Sequence, residues 1–239
     1  MGKVLTNLKN ELRSKADPKK ANFLARYFKT GKGQYAEGDV FLGGIVTSEM
    51  RKIANKYQDI PLRDIQALLK SKFHEERSLA LGILNRQFTK AKNQERLKFY
   101  KFYLQNTKHI NNWDLVDISA GNIVGEYLIA NPQKIGVLKK LARSKSLWER
   151  RIAIMATFTF IKKGQFQETL TIGEMLLTDK HDLIHKAVGW MLREVGKKDQ
   201  KAEEAFLKKH YQTMPRTMLR YAIEKFPEKT RKKYLLGQI

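Results

Sequence analysis

The sequence predicts an all-α protein, a solenoid of paired helices with a concave basic groove. Three observations predict it. Apolar residues recur at helical spacing from end to end, between recognisable start and stop signals. No two segments show the alternation of a strand pair. A cation followed by a short apolar stripe returns at a nearly fixed interval through the C-terminal two thirds. With 239 residues and 42% hydrophobic content, the chain has enough apolar surface to bury a core.

Residues 3–14 and 18–30 read as two amphipathic helices, with Asp17 as the N-cap of the second and Pro18 at its first position. The segment Gly31 to Gly44 is rich in glycine. A phosphate cradle needs Gly-Lys followed by Ser or Thr after a strand, whereas Gly31-Lys32 is followed by Gly33 with no strand before it. A flexible flap is the expectation. Helices resume over residues 48–57 and, after Pro61, continue almost without interruption. One domain, 1–239, is expected, with N-terminal helices and the glycine-rich loop in 1–58 and helical repeats in 59–239.

The repeat is carried by Arg77-Ser-Leu-Ala, Arg151-Ile-Ala-Ile, Lys186-Ala-Val-Gly and Arg220-Tyr-Ala-Ile. The last three lie 35 and 34 residues apart, and the gap before Arg151 leaves room for one more unit, the helix holding Trp113 and Asp117. A period of about 35 to 40 residues with two helices per unit is the signature of a HEAT-like or armadillo-like solenoid. Its second helices line the concave face, so Arg77, Arg151, Lys186 and Arg220 are expected as a basic ladder there. Glu224 to Tyr234 reads as a capping helix.

Lys and Arg number 47 against 24 Asp and Glu, giving a net charge of +23 and a pI near 10.0. The expected partner is a polyanion, nucleic acid first, with a solvated basic surface as the bland alternative. Absence of cysteine excludes disulfides, cysteine metal sites and thiol catalysis. The longest apolar run, Ile152 to Ile161, is far below the roughly 20 residues of a membrane span. Neither a targeting segment nor an anchor is expected; Met1-Gly2 with Thr6 fits only a loose acylation pattern. A cytoplasmic protein without membrane contact is the expectation.

The most informative stretch is Asn111 to Gly125. Trp113 and Asp117 are four apart and share a helix face, with Gly121 one turn on. Asp114 suits the first turn of a helix capped by Asn111 or Asn112. Asp117 lies a turn deeper, a lone acid among basic rungs. It serves either as a catalytic or ligand-binding carboxylate or as the counter-ion of Arg151. Trp148 reads as core, whereas Trp190, close to Arg193 and Glu194, reads as an aromatic plate that can stack on a sugar or cationic ring. His181 and His185 have the spacing of a zinc helix but lack the accompanying glutamate and a third ligand, so packing is expected and no metal.

Trp113-Asp-Leu-Val-Asp117, Trp148-Glu-Arg-Arg-Ile-Ala-Ile154, Lys186 to Glu194 and, more weakly, Ala25-Arg-Tyr-Phe28 with Phe41-Leu-Gly43 resemble the DNA alkylation repair enzymes of the AlkD type, the HEAT-like-repeat DNA glycosylases. The resemblance implies a right-handed HEAT-like solenoid that hydrolyses the N-glycosidic bond of N3- or N7-alkylated purines in double-stranded DNA, without metal or organic cofactor; a monomer is expected of a solenoid with a capped end. It places the catalytic aspartate on Asp117, sugar-contacting tryptophans on Trp113 and Trp190, phosphate-binding arginines on Arg151 and Arg193, and a lesion-facing aromatic on Tyr27. After Phe41-Leu-Gly43 the family's usual polar or basic residue and proline are replaced by Gly44-Ile-Val-Thr-Ser48. The rival expectation is a non-enzymatic DNA- or RNA-binding repeat protein.

Overall fold

The computed structural model describes residues 2–239, with Asn93 described by its backbone only. Met1, and with it the start of the acylation pattern, lies outside them. Every regular element of the described residues is helical, and their one strand-like pairing is a bridge between Val40 and Phe73. The all-α expectation holds. The chain divides into two compact units, Met1–Ser119 and Ala120–Ile239.

In the first unit, α1 (Lys3–Arg13) buries Leu5, Leu8 and Leu12, one stripe at helical spacing. The Asp17 carboxylate accepts from the Lys19 and Lys20 amides at 3.0 and 3.2 Å, and Pro18 opens α2 (Pro18–Tyr27). That helix stops short of residue 30 because Lys29 adopts a left-handed φ of 55°. α3 (Thr47–Lys56) and α4 (Leu62–Leu69) pack on α5 (His74–Lys90), which also meets α6 (Asn93–Gln105) and the single-turn α7 (Trp113–Asp117).

The glycine-rich segment is not a free flap along its second half. One Glu75 carboxylate, buried at the start of α5, accepts from the amides of Leu42, Gly43 and Gly44 at 2.8, 3.0 and 3.1 Å. The Asp17 amide donates to the Leu42 carbonyl at 2.9 Å. Gly43 has φ 129°, and a Cβ there would lie 2.1 Å from the Asp17 carbonyl oxygen, so no other residue fits. The carboxylate completes the hydrogen bonds that a buried loop needs.

In the second unit a π-helical turn, Gly121–Gly125, leads into α8 (Glu126–Ile129). There follow α9 (Gly136–Ala142), α10 (Leu147–Ala156), α11 (Phe158–Lys162), α12 (Gln167–Met175), α13 (Asp182–Gly196), α14 (Gln200–His210), α15 (Arg216–Ala222) and α16 (Glu228–Leu236). Gly121 and Gly125 are small for packing reasons: the Thr159 hydroxyl donates to the Gly121 carbonyl at 2.8 Å, and a Cβ on Gly125 would meet the Ala156 carbonyl at 2.4 Å. α13 is the centre of this unit, packing on α10, α14 and α15. No helix among the described residues is long and apolar enough to cross a membrane.

Candidate functional site

Asn112 caps α7, accepting the Trp113 amide at 2.8 Å while its own amide group donates to Asp39 at 3.3 Å. Asn112, the second of the two asparagines open as caps, therefore holds Trp113 at the first helical position. The indole lies parallel to the Phe28 ring, 5.2 Å between centroids at 8°. Phe28 rests in turn on Phe41 at 4.9 Å and His74 at 5.2 Å, and Tyr27 meets the indole edge-on at 6.3 Å and 70°. The two weakly matching N-terminal segments and the tryptophan motif thus build one aromatic cluster. Trp113 is half-buried, its orientation set by the Tyr27 and Phe28 rings, with Phe41 behind Phe28.

Beneath the rings sits a charged cluster that sequence reasoning did not single out. His74 Nε2 lies 2.7 Å from Asp114, and its Nδ1 faces Asp39 at 3.5 Å. Arg77 reaches the same Asp39 oxygen at 2.6 Å. Burial works against a charged imidazole, but the bonds to Asp114 and Asp39 outweigh it and push His74 up to about 9. Burial would likewise raise Asp39, yet His74 and Arg77 hold its carboxyl below the ordinary aspartate value. The signal was present in the sequence: His74-Glu75-Glu76-Arg77 puts four ionisable residues on consecutive positions, and consecutive helix positions cannot all face solvent. All four are buried, Glu76 being paired with Lys9 and Arg13.

Asp117 ends α7 and is half-buried, one turn from Trp113. The buried Tyr103 hydroxyl is held well above its usual value, by burial first and then by the charge of Asp117, against a lowering bond to Ser119. Asp117 thus acts electrostatically on the interior beside it. Tyr27 is 57% exposed.

Arg77 is placed differently from the expected ladder. It is 4% exposed, and its guanidinium donates to the carbonyls of Ser71 and Lys72 as well as pairing with Asp39. Its bonding is that of a support for the α4–α5 turn, with no open face for a phosphate.

In the second unit Arg151 is also 4% exposed, its Nη1 donating to the Leu183 carbonyl at 2.5 Å. Trp148 is buried, as expected of a core residue. Trp190 is half-buried near Phe158, at 6.2 Å and 44°, and its indole N–H donates to Glu194 at 3.1 Å. Arg193 pairs with Glu224, Lys186 with Asp182 at 3.0 Å, and Arg220 is exposed. His181 caps α13 by accepting the Leu183 amide, and His185 bonds the Asp179 carbonyl at 2.5 Å, so both imidazoles are engaged locally.

A structure described as a predicted DNA alkylation repair enzyme from Enterococcus faecalis is similar over 90% of this chain and 98% of its own, with a TM-score of 0.71 at 18% identity. No curated protein matches. The family model for DNA alkylation repair enzymes matches residues 8–226, a span that takes in the aromatic cluster, α7 and all three tryptophans. The chain belongs to the DNA alkylation repair enzyme family.

Proposed function

We propose that this protein is a monofunctional DNA glycosylase that releases N3- or N7-alkylated purines from duplex DNA. The supporting observation is the pairing, on one helical turn, of a half-buried indole fixed by stacking with a half-buried carboxylate, in a member of a DNA alkylation repair family. Alkylation at N3 or N7 leaves the purine positively charged. When its bond to C1′ breaks, the base takes the bonding electron pair and departs neutral, and the cation moves to the deoxyribose. Asp117 stabilises that cation electrostatically and orients the water whose oxygen bonds C1′, the water's proton passing to the carboxylate or to solvent. Trp113 offers a π face to the sugar, and Trp190 on α13 is the further aromatic candidate.

DNA is held through its phosphates by a chain whose net charge is +23. Arg193, Lys186 and Arg220 are the phosphate-binding candidates, Arg151 being as buried as Arg77, and Tyr27 approaches the lesion. Arg77 serves the scaffold. The enzyme works as a cytoplasmic monomer and needs no metal or organic cofactor.

The test is release of free 7-methylguanine and 3-methyladenine from methylated duplex DNA by wild type and Asp117→Asn at moderate salt. Release that depends on Asp117 supports the reaction. A folded wild type that binds DNA and releases nothing leaves a non-enzymatic nucleic-acid-binding protein.

A further inference from the structure

α2 buries none of its own residues. It is held mainly at its two ends, with the half-buried Leu24 close to Gly44 between them. At the start, the Asp17 amide bonds the Leu42 carbonyl and Gly43 packs on the Asp17 backbone. Just past the end, Phe28 is locked between Trp113, Phe41 and His74. The helix between these anchors carries Phe23 at 67% and Tyr27 at 57% exposure, near-parallel rings 6.3 Å apart at 15°. They are one turn apart on the same face, and the row continues from Tyr27 to the half-buried Trp113. Tyr27 also packs edge-on against Phe28 and Trp113, whereas the Phe23 ring meets only that of Tyr27.

The charge around the rings selects the occupant. Lys19, Lys20 and Arg26 are exposed on α2, Lys29 and Lys32 follow it, and no acidic residue lies between Asp17 and Glu37. Two rings are far too small an apolar area for a stable protein interface, which takes about 800 Å² per partner. Planar aromatics set among cations suit instead a chain of flat rings joined by phosphates.

We infer that Phe23 and Tyr27 form a stacking platform for unpaired DNA bases, leading from the surface of α2 to Trp113. The platform rests on the proposed DNA-repair function and adds to it a site for the strand opened beside a lesion. Phe23 is the residue that distinguishes it, since it touches none of the rings around Trp113 except Tyr27.

The experiment is fluorescence anisotropy of a short labelled oligothymidine, and separately of a fully paired duplex, with wild type, Phe23→Ala and Phe23→Trp. Loss of one stack predicts about tenfold weaker single-strand binding by Phe23→Ala. The expected result is that loss with duplex binding and thermal unfolding unchanged, and recovery in Phe23→Trp. Equal single-strand affinity of wild type and Phe23→Ala overturns the platform. So does an equal loss on both DNAs, or a wild-type dimer that Phe23→Ala dissociates, which makes the face a contact between copies. Base release from methylated duplex is measured on the same preparations. Its absence beside Phe23-dependent single-strand binding rejects the glycosylase and keeps the platform; its presence beside Phe23-independent binding does the reverse.

Discussion

His74 and Asp114 are joined at 2.7 Å, and this bond ties the first turn of α7 to the first turn of α5. Asp114 is thereby more than a helix-dipole residue: it secures the turn that carries Trp113 and Asp117. Replacing His74 by Asn leaves Asp114 without its cation, Asp39 keeping only Arg77, and is expected to cost about 3 kcal/mol, by analogy with broken buried pairs. Because folding raises His74 from 6.5 to about 9, its contribution is complete below about pH 6.5 and fades as pH rises toward 9. Asp39 is lowered, so its share is present above about pH 4 and is lost on further acidification. Urea unfolding across pH should show wild-type stability declining from pH 6.5 to 9, with that decline flattened in His74→Asn.

Gly43→Ala meets the Asp17 backbone and a φ that side chains avoid. A loss of about 2–4 kcal/mol is expected, with looser attachment of α2. Thermal unfolding measures the first, and limited proteolysis around residues 29–46 the second.

Glu203 on α14 is buried, and one carboxyl oxygen has no hydrogen-bond partner. Burial, then the neighbouring Glu204, push it up to about 8 against the opposing charge of Arg193. An acid raised by folding favours the native state below its unfolded value, near 4.5, and that contribution disappears as pH climbs to 8. Glu203→Gln is therefore expected to stabilise the protein by about 1–3 kcal/mol at pH 8 and hardly at all at pH 4. Equal unfolding midpoints at pH 8 would contradict a neutral buried carboxyl.

Asp117→Asn is expected to abolish base release while leaving DNA affinity equal or higher, because a negative charge facing phosphates is removed. Weaker DNA binding by this variant would mark Asp117 as a structural counter-ion. Anisotropy and single-turnover release on one substrate separate the two.

Much of the helical order was legible because it is local. Asp17-Pro18 announces α2, and the stripe Leu5, Leu8, Leu12 announces α1. The register of the repeat was harder. Arg77 donates to the carbonyls of Ser71 and Lys72 and pairs with Asp39; Arg150 donates to those of Ser144 and Lys145 and pairs with Asp179. Ser-Lys at the start of each segment thus aligns Arg77 with Arg150, one position before the Arg151 that the apolar stripe suggested. A repeat of small apolar residues tolerates a slip of one place, whereas an arginine bonded to two fixed carbonyls does not. The aromatic cluster was only half legible. Trp113, Tyr27 and the Phe41 segment stood out as motifs, but their joint contact runs through Phe28 and His74, and the charged run at His74 does not say which distant rings and acids it meets.

The three amides gathered by Glu75 form the kind of hollow in which proteins hold phosphate, already filled by the chain's own anion. The loop is thereby saturated from within and has no appetite for the backbone of an incoming strand. Its order is settled at folding and does not wait for substrate. Docking then leaves that segment as it is, and the entropy of fixing it is not charged against affinity for DNA.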